Sequence, residues 1–281
     1  MSVKRAMLIT PAHPERSTDA VATASEVARA AGVKLVSTPD EHQKHLDVAT
    51  HIERVADGEL PDVCLVLGGD GSILYAMRHF AHTGVPVFGI NFGTVGFLAA
   101  VEREQLSEGL ERAFSGDYEV MHMPALTVDL PLDHPVALND VSFQRQAHGR
   151  VAELSYTIGD EEVGSVRCDG LVAATPAGST GYNLANNGPI LAWGVKGFVV
   201  SFIAPHTLAA RALVVAPGDA LLVRNAAGRE PVEISLDGAP AGELEPGAEL
   251  EMRFEESVSS LAQLPGANFY HRIREKFGKL A

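Results

Sequence analysis

The chain has 281 residues, 46% of them hydrophobic and 21% charged, a globular composition that fills one large domain or two ordinary ones and gives no indication of disorder. Thirty-six acidic against 22 basic side chains leave a formal charge of −14, which repels nucleic acid and anionic lipid over most of the surface but still admits a nucleotide held by backbone N–H groups. Cys64 and Cys168 lack metal-ligand spacing and no apolar run is long enough for a signal-peptide core or a bilayer span, so the sequence reads as soluble and cytoplasmic, with neither nucleic acid nor membrane as partner.

From residue 3 to about 115, short apolar runs alternate with helix-like segments, the pattern of a parallel sheet with crossover helices. Strands are expected over 7–10, 33–37, 63–67 and 85–90. Helices are expected over 17–31, stopped by Gly32, and over 73–81 and 102–114. After Gly116 strand-length runs follow one another at 125–130, 136–143, 151–158, 171–174, 198–202, 212–215, 220–223, 232–235 and 250–254, separated by Pro, Gly, Asp and Asn. Residues 269–280 return to a helical pattern, with Tyr270, Ile273 and Phe277 on one face. The fold class is an α/β N-terminal domain with a Rossmann-like parallel sheet, 1–116, a β-rich, sandwich-type C-terminal domain, 117–264, and a C-terminal helix, 265–281, that returns to the first domain.

The chemistry is concentrated where the apolar run 63–67 ends in Gly68-Gly69-Asp70-Gly71-Ser72 and a helical segment begins. Glycines there let a phosphate approach the backbone closely, and a helix start supplies N–H donors and a favourable dipole. A carboxylate in such a cradle repels the ligand unless it binds a metal ion or accepts a proton from an attacking hydroxyl, and both roles belong to phosphoryl transfer. On these five residues alone, a tight turn with Asp70 as N-cap competes with that reading. The loop lacks the Gly-Lys-Ser/Thr ending of a P-loop, and no Gly-x-Gly-x-x-Gly fingerprint follows the first strand.

These residues resemble those of the NAD kinases. Gly68 to Ser72 match the family's Gly-Gly-Asp-Gly-Ser/Thr motif, and Asn91 to Leu98 are similar to its glycine-spaced second loop. Asn139-Asp140 resemble its Asn-Asp/Glu pair, and Asp169 to Leu184, continuing to Gly188-Pro189-Ile190, form its most specific string. Pro205-His206-Thr207-Leu208, Arg211 and Phe269 to Arg272 look like further landmarks.

The resemblance implies transfer of the γ-phosphoryl group of ATP, or of polyphosphate, to the 2′-hydroxyl of the adenosine ribose of NAD, giving NADP. Asp70 would be the general base, Gly68, Gly69, Gly71 and Ser72 the phosphate-donor loop, and Mg²⁺ or Mn²⁺ the cofactor, with no metal ligand assigned. Its NAD contacts map to Asp70, Gly71, Asn139, Asp140, Arg150, Arg167, Asp169, Thr180, Gly181, Tyr182, Asn183, Leu184 and Ala185. The same resemblance implies a homodimer or homotetramer. It places the active site in the cleft between the domains, with Asp70 facing a ribose held by Asn139, Asp140 and Thr180.

Taken singly, several of these residues have plainer readings. Asn139-Asp140 can close a turn, Gly178 to Gly181 can form a capping loop with Thr180 as cap, Tyr182 can be a packing residue and Arg150 a solvated charge. His206 reads as structural and Trp193 as core. Tyr75, Ala125 and Ala239 depart from the family pattern, whereas Asp237 can still face the site. Competing functions are a lipid or sugar-phosphate kinase with the same first loop, and a dinucleotide sensor without catalysis.

Overall fold

The computed structural model describes residues 3–11, 17–44, 52–55, 59–93, 96–146, 150–226 and 230–278. Thr94 and Val95 of the expected second loop and residues 279–280 of the expected last helix lie outside them. The chain forms two compact units, Met1–His122 with Ser259–Ala281, and Met123–Val258.

The first unit begins with β1 (Arg5–Ile9), α1 (Thr18–Ala31), β2 (Lys34–Ser37), α2 (Pro39–Lys44) and β3 (Glu53–Arg54). β4 (Val63–Gly68), α3 (Asp70–His79), β5 (Pro86–Asn91), β6 (Val101–Glu102) and α4 (Leu106–Ser115) follow. The strands are parallel in the order β5-β4-β1-β2-β3, with Met7 opposite both Cys64 and Val36. β4 is buried along its whole length, which its unbroken Val-Cys-Leu-Val-Leu run anticipates for a strand covered on both faces. α1 buries Ala20, Val21, Ala24 and Ala28, and Gly32, at φ 68°, ends it by returning its N–H to the carbonyls of Ala28 and Arg29. Strand order reverses between β1 and β4, so the loops leaving their C-terminal ends diverge and open a crevice there.

The second unit starts in β7 (Glu119–Val128) and continues through β8 (Val136–Ala137), β9 (Asp140–Arg145), β10 (Ala152–Ile158), β11 (Glu161–Cys168) and β12 (Gly170–Ala174). The short α5 (Tyr182–Ala185) precedes β13 (Phe198–Ile203), β14 (Leu213–Val215), β15 (Leu221–Asn225), β16 (Val232–Leu236), β17 (Ala239–Leu244) and β18 (Glu249–Gln263). One antiparallel sheet runs β14-β13-β12-β9-β16-β17, and a second sets β11-β10-β15 beside the Glu249–Met252 part of β18. Phe143, Leu171 and Val200 of the first sheet share a buried core with Leu154, Val223 and Met252 of the second, which makes the unit a sandwich. The Ser260–Ala262 end of β18 pairs in parallel with β5 in the first unit, and α6 (Phe269–Phe277) buries Ile273 in that same unit. Among the described residues no helix is long and apolar enough to cross a membrane.

Several expected boundaries are corrected. The expected strand 136–143 breaks at Leu138–Asn139, where three backbone N–H groups turn to the Asp237 carboxylate instead of a neighbouring strand. The strand expected at 125–130 starts at Glu119, and that expected at 250–254 runs on to Gln263. α2, β3, β11 and β17 were not expected. β11 is an edge strand whose Glu161-Glu162-Val163 start is exposed, so its sequence shows no apolar run. Trp193 is half-buried beside a turn rather than in the core.

Candidate active site

α3 begins three residues before the expected 73, because Gly69 at φ −89° and ψ −175° is its N-cap and Asp70 its first residue. No side chain caps it, so Asp70 is not the N-cap of the plainer reading, and within the first turn the Ser72 N–H turns to the Gly69 carbonyl at 3.0 Å. The glycines have separate reasons. A Cβ on Gly68 would lie 2.7 Å from the Ser72 side chain, and one on Gly93 would lie 3.2 Å from the Gly69 Cα, so the two loops pass backbone to backbone. A Cβ on Gly71 would meet nothing within 4 Å, so the fold does not require that glycine.

The Asp70 carboxylate is turned towards the second loop. Phe97 N–H donates to Oδ2 at 2.9 Å and Leu98 N–H to Oδ1 at 3.1 Å. Burial raises its pKa, while these two donors and the charges of Arg272 and Lys276 act the other way. Each carboxylate oxygen accepts one N–H and keeps a further acceptor site. In the crevice between β1 and β4 a cavity of about 380 Å³ is lined by Gly71, Ser72, Thr10, Tyr75 and His79, with Lys44 and the buried Glu41 at its wall. Tyr75 and His79 stack on one face of α3, 6.3 Å between ring centroids.

In the sandwich, antiparallel register sets the start of β9 beside the end of β12, with Asp140 opposite Ala174, and the β16–β17 turn on the other side of β9. Asp237 accepts from the N–H groups of Leu138, Asn139 and Asp140 at 3.1, 2.6 and 3.2 Å. The Asn139 carbonyl accepts from Thr175 N–H at 2.9 Å and lies where a Cβ on Gly178 would be 2.0 Å away. These contacts fix the Asn139 backbone and bring Asp140, Thr180 and Tyr182 to one end of the sheet. Burial, reinforced by the Asp237 charge, pushes the Asp140 carboxyl up to about 7. Thr180 is not a cap: its hydroxyl donates to the Ala177 carbonyl, and Gly181 precedes α5. Asn183 is fully buried and donates from Nδ2 to the carbonyls of Ser179 and Pro189 at 3.0 Å each. Leu184 and Ala185 complete the helix below it.

Arg150, Arg167 and Asp169 gather at the other end of the same strands, roughly 15 Å away by strand rise, in an open cavity of about 780 Å³. Four further residues line it that the sequence did not single out for binding, Val151, Glu153, Arg145 and His206. Arg145 pairs with Asp169 at 2.7 Å, and His206, read from sequence as structural, is exposed with its N–H on the Arg167 carbonyl at 2.8 Å. Arg145 lay unmarked at the end of β9, after the alternating Val141-Ser142-Phe143-Gln144. Burial raises the Tyr182 pKa and the charges of Asp140 and Asp169 add to it, so its hydroxyl feels both ends of the site. Among the described residues no group of three His, Cys, Asp or Glu is placed to hold a metal ion. A divalent cation fits here only as a partner of bound phosphates, with Asp70 the nearest carboxylate to the phosphate loop.

Comparison with known proteins agrees with this geometry. Residues 13–118 match the model of the ATP-NAD kinase N-terminal domain, and residues 138–262 match that of the ATP-NAD kinase C-terminal domain. The chain is 38% identical to the NAD kinase of Symbiobacterium thermophilum over 229 residues, 80% of this chain and 81% of the relative. It is 32% identical to that of Gemmatimonas aurantiaca over 238 residues, covering 83% and 82%. The fold matches yeast NADH kinase complexed with NADH at a TM-score of 0.85 and 21% identity, over 100% of this chain and 89% of that one. It also matches an NAD kinase from Archaeoglobus fulgidus in complex with ATP, at a TM-score of 0.72 and 22% identity over 98% of each chain. With both domain models matched in order, the chain belongs to the NAD kinase family.

Proposed function

We propose that the protein transfers the γ-phosphoryl group of ATP, or a terminal phosphoryl of polyphosphate, to the 2′-hydroxyl of the adenosine ribose of NAD, producing NADP. The observation that carries the reading is the Asp70 carboxylate, set on the uncapped first turn of α3 and held by two loop N–H groups that leave it free to accept a proton. A ribose hydroxyl is a weak acid, so Asp70 takes its proton as the bond to phosphorus forms. The backbone of Gly68, Gly69, Gly71 and Ser72 receives the donor phosphates. A divalent cation, Mg²⁺ or Mn²⁺, would arrive with those phosphates and spread their charge.

Asn139 and Asp140 take the ribose and base edge, and Tyr182 gives its ring face to the base. Thr180 and Gly181 line the turn beside them. The separation of the two clusters along the β9 and β12 strands suits an extended dinucleotide, whose diphosphate meets Arg150 and Arg167 while Asp169 accepts from a ribose or amide group. Asn183, with Leu184 and Ala185, shapes the loop from beneath. We further infer a homodimer or homotetramer built through the β-rich unit, since edge strand β14 leaves Leu213 and Val214 exposed and Leu208 nearby is 94% exposed. The buried free thiols of Cys64 and Cys168 suit a reducing cytoplasm.

The test is an activity matrix with ATP and polyphosphate as donors, NAD, NADH, diacylglycerol and fructose 6-phosphate as acceptors, and Mg²⁺ or Mn²⁺. NADP is the expected product. Phosphorylation of a lipid or sugar phosphate with NAD inert would overturn the reading, as would NAD binding without transfer under every condition. Asp70→Asn should lower turnover by about 10²–10⁴-fold while NAD binding stays measurable by calorimetry.

A further inference from the structure

We propose that Arg272, acting with Gln263, is a positioning residue for Asp70: together they grip the carbonyl of the Phe97–Leu98 peptide, whose N–H holds the Asp70 carboxylate, and the two carbonyls that follow it. The inference rests on the reading of Asp70 as the base. Three consecutive carbonyls of the loop are held by side chains from much later in the chain. Arg272 Nη1 donates to Phe97 O at 2.5 Å and to Ala99 O at 2.8 Å, and Gln263 Nε2 donates to Leu98 O at 2.8 Å. The two side chains join each other, Arg272 Nη2 donating to Gln263 Oε1.

The peptide joining Phe97 to Leu98 links both groups. Its carbonyl accepts from Arg272 and its N–H donates to Asp70 Oδ1. A cation on the carbonyl polarises that peptide and strengthens its N–H as a donor, so the charge reaches Asp70 through one amide as well as through space. Simple docking of α6 does not account for this. The apolar contacts of the helix, Ile273 in the core and Phe277 against Phe97 at 5.4 Å, need no guanidinium. Burial works against the Arg272 charge, and the opposing charges that favour it are Asp70, Glu102 and Glu275. The charged groups acting on Asp70 itself are Arg272 and Lys276, both on α6, and Lys276 is also paired with Glu102 at 3.2 Å. The planar fork matters as much as the charge, because Nη1 meets both loop carbonyls while Nη2 holds Gln263 in place on the third.

The full-length enzyme and four variants, Arg272→Gln, Arg272→Lys, Gln263→Leu and Asp70→Asn, test the proposal. Each is assayed for kcat, KM for NAD and the acid limb of kcat/KM, normalised to folded protein, with thermal unfolding alongside. Arg272→Gln removes a positive charge that favours ionised Asp70, so its acid limb should move to higher pH and kcat should fall about 10–100-fold with KM within about threefold. Arg272→Lys keeps the charge without the fork and should lower kcat while leaving the acid limb near the parent's. Gln263→Leu changes no charge and should lower kcat by loosening the loop. A ¹³C-carboxyl titration of Asp70 should follow the acid limb without reference to turnover. If Arg272→Gln does not fold, the other two loop variants carry the test. Lower melting temperatures with unchanged kcat and acid limb would overturn the positioning role, whereas a fully active Asp70→Asn would instead overturn the base assignment.

Discussion

Asp140 and Gly71 show how one residue can serve the site at the expense of the resting fold, or at no expense to it. Asp140 is 8% exposed and shares its surroundings with Asp237, and its carboxyl is raised to about 7 from an unfolded value near 3.9. The folded state thus holds the proton more tightly, and that stabilisation is present below about pH 4 and lost as pH rises through 7. Asp140→Asn, which stays neutral, should therefore be more stable than the parent by on the order of 2–4 kcal/mol at pH 8, and by little at pH 4, in urea unfolding at the two pH values. It should also lose affinity for NAD. Gly71 makes the opposite case. Because a Cβ there meets nothing within 4 Å, Gly71→Ala should leave the melting temperature unchanged, yet if the loop receives the donor phosphates as proposed the methyl group should raise KM for ATP at least about tenfold.

At the scale of the element, the approach of the loop before α5 to the break before β9 determines where Asn139 and Asp140 point. A methyl group on Gly178 would sit 2.0 Å from the Asn139 carbonyl oxygen, a backbone atom already held by Thr175. Gly178→Ala should cost about 3 kcal/mol or more in chemical unfolding and weaken NAD binding, whereas Gly218→Ala, with nothing within 4 Å, should do neither. The sequence made β1, β2, β4 and β5 legible because they are apolar runs with clear stops, whereas α2, after Pro39, and β3 are polar throughout. The Gly68 to Ser72 loop was legible for the same reason, lying between a buried strand and a helix. β17 was overlooked although Asp237-Gly238 is a two-residue hairpin turn with both φ values positive, 51° and 76°. Its Ala-Pro-Ala-Gly-Glu-Leu sequence has almost no β propensity and is held by pairing with β16. Asp237 was noticed, but not its task, since no spacing rule connects it to N–H groups almost a hundred residues away. The same holds for Arg272 and Gln263, whose partners are carbonyls and leave no mark in side-chain chemistry.

For the molecule as a whole, the second unit is one continuous stretch, 123–258, while the first is assembled from both sides of it. The sandwich has its own core of Phe143, Leu154, Leu171 and Val223, and the parallel-sheet unit has another that includes Ala262 beyond the sandwich. A fragment of residues 123–258 should therefore unfold cooperatively with a β-type circular dichroism spectrum. Residues 1–122 alone should not, because they lack the Ser260–Ala262 strand beside β5 and the side chains that grip the Phe97 to Ala99 loop.

The run of β18 from one unit into the other also has a consequence for biosynthesis. Asp70 and its loop leave the ribosome early, but the strand and helix that hold them emerge only after the entire β-rich unit has been made. During translation the β-rich unit, which carries most of the proposed dinucleotide contacts, can fold while the unit with Asp70 waits with an ungripped loop. If the proposed sites hold, a nascent chain would then capture NAD before it can consume ATP, so catalytic competence follows dinucleotide binding.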